Sequence, residues 1–96
     1  MWQLRRVEGE SMSPTLQQGQ TILVSHSRNY SQGDVVVAFV DGREVIKRVK
    51  EYKNGQLFLI GDNPDSSTDS RTFGWLVDRR VHVKVIWPRI KKKNLE

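Results

Sequence analysis

A serine at position 11, a lysine at position 47 and a stretch at 61–74 rich in acids and hydroxyls are the residues of this chain that could do covalent chemistry together. The run Gly9-Glu10-Ser11-Met12-Ser13-Pro14-Thr15-Leu16 puts the serine where a chain would turn a corner. Val7 and Glu8 read as the end of a strand, Gly9 loosens the backbone, and Pro14 fixes φ at about −65°. A hydroxyl beside unpaired backbone N–H groups can act as a nucleophile with an oxyanion site. It serves equally well as a cap, because Ser11, Ser13 and Thr15 all suit helix N-termini and turns.

Lys47 lies in a strand-like run at 44–49. Alternation there puts Val45, Lys47 and Val49 on one face and Ile46 and Arg48 on the other. If the valine face looks inward, the ammonium is partly desolvated, which favours the neutral amine. To act as a general base near neutrality a lysine must fall from about 10.4 to roughly 7 or 8, on the order of 4 kcal/mol. The alternative is a stem lying along the sheet with its head in water. Sequence leaves both open.

The stretch at 61–74 holds almost no apolar residue before Phe73 and reads as a long turn built from Gly, Asp, Asn, Pro and Ser. Asp62, Asp65 and Asp69 miss the alternate spacing of a calcium loop, so no metal is expected. As a scaffold the loop makes more sense. Asp69 is set to pair with Arg71 and Asp62 with Arg48, while the Ser67 hydroxyl can hold another side chain.

The elements that must position these groups are strands. Runs at 21–24, 34–40, 44–49, 57–60 and 81–87 are short, rich in β-branched residues and bounded by turn signals. Asp41-Gly42 and Asn54-Gly55 mark hairpins that pair 35–40 with 43–49 and 49–53 with 56–60. No stretch keeps a 3.6-residue apolar period for three turns. Any helix is therefore short, with residues 13–18, just after the serine, as the best candidate.

Ninety-six residues make one domain with a single modest core. At 36% apolar and 28% charged the chain is an ordinary globular one, and the absence of cysteine excludes disulfides and thiol nucleophiles. The net charge is +5. Four basic residues and one acid lie after Pro88, so the body carries only about +2, too little to call for nucleic acid. No apolar run reaches the ~20 residues of a membrane span. A soluble, cytoplasmic chain without cofactor is expected, with a catalytic domain at 1–88 and a basic C-terminal tail at 89–96.

Taken together, the segments resemble the signal peptidase family of Ser/Lys serine proteases. GESMSPTL at 9–16 is similar to its nucleophile box, GDVVVAF at 33–39 to the strand that follows, IKRV at 46–49 to its lysine box, and GDNPDSSTDSRTFG at 61–74 to its last box. The resemblance spans about 7–88 and implies a small, mostly antiparallel, all-β, barrel-like domain. It implies Ser11 as nucleophile, Lys47 as general base and Met12 as part of the wall of the pocket before the cut. It further implies Ser67 as the residue that orients the lysine, with Asp69–Arg71 and Asp62–Arg48 as supports. The oxyanion donor would be the Ser11 N–H. Some relatives place a second donor, a serine, where this chain has Gly9, so the second donor stays unassigned. A Ser/Lys pair needs no imidazole, because a neutral amine can take the hydroxyl proton and return it to the leaving amine. His26 and His82 are not required.

An unanchored form without the large inserted β domain usual in exporting members is expected. The chain resembles instead the branch that matures the nickel superoxide dismutase precursor, so removal of an N-terminal leader is the expected activity, with nickel belonging to the substrate. The precursor would bind as an extended strand along the segments leading into Ser11 and Lys47. Two other functions compete. One is signal-peptide processing at a membrane, with Trp87, Pro88, Arg89 and Lys91 to Lys93 in weak peripheral contact. The other is a noncatalytic β module that holds peptide or single-stranded nucleic acid, although Trp2, Trp75 and Trp87 lack interleaved basic residues.

Overall fold

The computed structural model describes residues 2–92. Seven strands run in chain order: β1 Trp2–Arg6, β2 Thr21–Ser25, β3 Val35–Val40, β4 Arg43–Lys53, β5 Gln56–Ile60, β6 Leu76–Val77 and β7 Val81–Trp87. They form one sheet in the order β1-β2-β7-β3-β4-β5-β6, and every pairing is antiparallel. The domain is all-β, as expected. Its sheet is not closed, because β1 and β6 remain as edges.

Both hairpins form where the sequence marks them. Asp41 and Gly42 have φ of 51° and 78°, Asn54 and Gly55 of 54° and 74°. Left-handed φ at both central positions matches the right-handed twist of the flanking strands and fixes the registers Val40↔Arg43 and Lys53↔Gln56.

The strand β3 explains why the run VVVAFV is continuously apolar. Val35 and Val37 enter one core with Val7, Met12, Leu16, Ile22, Val24 and Val83. Val36 and Ala38 enter a second, with Tyr30, Val49, Leu57, Leu59 and Val81. A strand covered on both faces loses its polar alternation. Each fully buried valine or leucine contributes roughly 1.5–3 kcal/mol, so a charge on either face of β3 would break the sheet at its centre.

Two features make the site. First, β4 pairs with β3 from Arg43 to Arg48, but β5 joins its other side only from Arg48 onward. Among the described residues, 43–47 thus keep a free edge. Second, the outer edge of β1 is also unpaired among the described residues.

The short helix, α1, lies at Ser70–Phe73 and not at 13–18. Residues 11–15 form a turn in which Ser13 N–H donates to Glu10 O at 3.1 Å and Leu16 N–H to Met12 O at 2.9 Å. Pro14 lacks an N–H, and one α-type bond does not repay the entropy of nucleating a helix. At the other end, residues 89–92 of the expected tail run along the body. Ile90 packs against the first core, Arg48 donates to Lys91 O at 3.0 Å, and Lys92 reaches Asp34 at 3.2 Å. Lys93 to Glu96 lie outside the described residues.

Candidate active site

Ser11 sits at the tip of a loop closed at its neck. Val7 N–H donates to Gln20 O and Gly19 N–H to Val7 O, both at 2.8 Å. Met12 and Leu16, fully buried in the first core, anchor the loop from below. Met12 is 1% exposed and lies inside that core rather than among the residues that line the cleft. Gly9 has φ of 81°, a left-handed turn that favours glycine, and it does line the cleft.

The cleft measures about 780 Å³ and holds Ser11 and Lys47 together, between β1 and the free half of β4. Phe39 and Ile46 are among its apolar residues. Arg5 on β1 and Glu44 on β4 form an ion pair of 3.2 Å, both side chains partly exposed.

Lys47 is 3% exposed. Alternation holds around it: Val45 and Val49 belong to the second core and Ile46 to the first. Its Nζ donates to Ser67 Oγ at 3.0 Å. The Ser67 hydroxyl in turn donates to Asp69 Oδ2 at 2.6 Å, so the serine shows the lysine a lone pair. Arg71 grips Asp69 through Nε at 3.0 Å and Nη2 at 2.5 Å, and Gly61 N–H adds a bond of 2.8 Å.

The charges follow from this. Burial lowers the pKa of Lys47; the Asp69 carboxylate opposes that, the Arg71 guanidinium adds to it, and the net direction is down. Burial alone would raise Asp69. Its bonds from Arg71, Ser67 and the backbone outweigh that and hold the carboxyl well below its usual range. With Asp69 occupied by arginine, the lysine faces a serine dipole rather than an open carboxylate, and the neutral amine becomes accessible.

A second pair ties the other side of the loop. Arg48 bonds Asp62 in two-pronged fashion, Nε to Oδ1 at 3.0 Å and Nη2 to Oδ2 at 2.6 Å, with both side chains 1% exposed. Thr15 Oγ1 donates to Asp62 Oδ2 at 2.5 Å, so the pair also grips the loop that carries Ser11. All the charged and hydroxyl pairings expected from sequence among 47, 48, 62, 67, 69 and 71 are present.

Between Ser11 and Lys47 themselves no hydrogen bond forms among the described residues; the lysine's bond goes to Ser67. The two groups share the cleft, and the Ser11 N–H has no acceptor among the described residues.

Sequence reasoning missed three residues that hold the two halves together. Thr15 is one and Asn63 another. The third is Gly61, where an added Cβ would lie 2.3 Å from Ser67 Oγ and 2.6 Å from Ser11 O. Only glycine lets the loop run between Ser11 and Ser67. The signal was the Gly-Asp-Asn triplet, read as a turn rather than as a clamp.

The histidines stand apart. His26 is exposed, and the ring of His82 meets Phe39 edge to face at 5.6 Å. Among the described residues no cluster of His, Cys, Asp or Glu is placed to hold a metal ion, and no helix is long and apolar enough to cross a membrane.

One family model, described as Peptidase S24-like, matches residues 3–83. No curated protein matches the chain.

Proposed function

Because the chain belongs to the Peptidase S24-like family, a serine peptidase assignment in general terms, we propose that it is an endopeptidase working through a Ser11/Lys47 dyad. One observation carries this reading: a buried lysine with a lowered pKa, bonded to serine rather than to a carboxylate, shares a cleft with a serine whose N–H is unengaged. In the proposed step the neutral Lys47 amine takes the Ser11 proton as Oγ attacks the scissile carbonyl. The oxyanion forms at the Ser11 N–H, and the proton then passes from Lys47 to the leaving amine. One N–H of the amine stays on Ser67, which turns its lone pair toward the cleft. Water activated by the same amine releases the acyl group.

The substrate would lie as an extended strand between β1 and residues 43–47. Two free strand edges facing one cleft favour that mode, since a peptide there gains ladder bonds on either side. The finer assignment is leader removal from a protein precursor, that of nickel superoxide dismutase, with nickel as the cargo of the product.

The test is to mix the protein with that precursor and read the new N-terminus by mass spectrometry. A single internal cut, absent with Ser11→Ala, supports the whole assignment. Cleavage of a generic signal peptide but not of this precursor moves it to signal-peptide processing. No cleavage of any peptide, with binding unchanged by Ser11→Ala, leaves a noncatalytic module.

A further inference from the structure

Asn63 bonds to both carbonyls that flank the Ser11 Cα. Its side-chain Nδ2 donates to Glu10 O at 3.1 Å, and its backbone N–H donates to Ser11 O at 2.8 Å. Each carbonyl belongs to a planar peptide unit, and φ and ψ of Ser11 are the only soft rotations between the two units. Fixing both planes fixes the nucleophile's backbone. The first plane matters more: Glu10 C=O and Ser11 N–H belong to the same trans peptide and point in opposite directions. Whatever holds the Glu10 carbonyl aims the Ser11 N–H.

The side chain of Asn63 has no competing local duty. It sits at the N-cap of the 3₁₀ turn Pro64–Ser66, yet it makes no capping bond there. Glu10 O also accepts the Ser13 N–H, so the turn itself survives without Asn63, and the amide occupies the second lone pair.

We propose that Asn63 is a positioning residue that aims the Ser11 N–H at the developing oxyanion by pinning the peptide unit to which it belongs. This rests on the Ser/Lys reading above and adds to it a residue that touches neither substrate nor dyad side chain.

The test uses the rate at which a fluorophosphonate modifies Ser11, followed by intact mass across pH 6 to 10. In that reaction the Ser11 Oγ–P bond forms, the P–F bond breaks, fluoride leaves, and the serine proton passes to Lys47. The phosphoryl oxygen takes the oxyanion's place. Asn63→Ala and Asn63→Leu are both neutral, and the leucine keeps the volume should the alanine variant melt early. Each should be labelled about tenfold more slowly, short of the ~10²–10³ of a deleted donor, with the midpoint of the pH curve unmoved. Rates within twofold of the parent in both variants overturn the proposal. So does a slowdown that comes with a displaced midpoint, because the effect would then run through Lys47. A parent protein unlabelled at Ser11 overturns the dyad itself, and the role of Asn63 with it.

Discussion

Lys47 and Arg48 are neighbours on β4, both cationic by type and both all but sealed from solvent at 3% and 1% exposure, yet the molecule treats them in opposite ways. Arg48 is fully compensated. It has a two-pronged carboxylate in Asp62 and the carbonyls of Gly33 and Lys91, at 2.9 and 3.0 Å. Among the described residues Lys47 has one hydrogen-bond partner, the neutral Ser67, and the Asp69 carboxylate behind that serine is taken by Arg71. A buried cation with its charge matched is a structural rivet; one left under-matched is driven toward neutrality, where it can accept a proton. Because strand alternation sends adjacent side chains to opposite faces, a single Lys-Arg step delivers both outcomes.

The largest expected effect tests the lysine side of that contrast. Lys47→Ala should lower cleavage by about 10²–10⁴-fold, the range of a general base, while thermal melting shows a folded protein. Full activity would remove the dyad.

Arg48→Ala should do the reverse in kind, costing about 3–5 kcal/mol of stability by urea denaturation because it strips the two-pronged guanidinium from the buried Asp62 carboxylate. The pair Arg48→Met with Asp62→Leu should cost less than the single change. An equal or greater cost would mean that the ion pair itself, and not the breaking of it on one side, carries the stability.

Gly61→Ala probes the clamp that joins the two sides. Its Cβ must displace Ser67 or the Ser11 carbonyl, and a misplacement near 1 Å costs on the order of 10²-fold in rate. Ser67→Ala should cost about tenfold, since it removes one hydrogen bond from the amine. Unchanged kinetics would end its orienting role.

The smallest effect is a slope. Activity should rise with pH through the lowered Lys47 pKa, and a flat profile from pH 6 to 9 would speak against a titrating base. For stability, the folded lysine titrates below its ordinary value of 10.5, so between the two the unfolded chain binds more protons. Stability contributed by this site therefore rises with pH across that window. Lys47→Met should flatten the rise, measurable as urea midpoints at pH 7 and 10.

Much of the fold was legible because its signals are local. The β-branched runs, and the Asp-Gly and Asn-Gly pairs whose φ is left-handed in the folded chain, each act over a few residues. The misplaced helix shows where locality ends: Ser13, Pro14 and Thr15 suit a helix start, but no apolar period follows to repay one. Met12 shows the same at the site. A residue beside a nucleophile is plausible as pocket wall, yet the loop needs an anchor, and the first core takes it.

The amino-acid sequence by itself determined most of the strands, the two hairpin turns and the list of side chains with the chemistry proposed, since each depends on residue type and short spacing. Only the folded chain decided which of two adjacent cations would be matched and which left short, and that Asn63 would reach back across more than fifty positions to Glu10. Desolvation and hydrogen-bond direction depend on what stands within a few ångströms, and strand pairing between distant segments sets that neighbourhood.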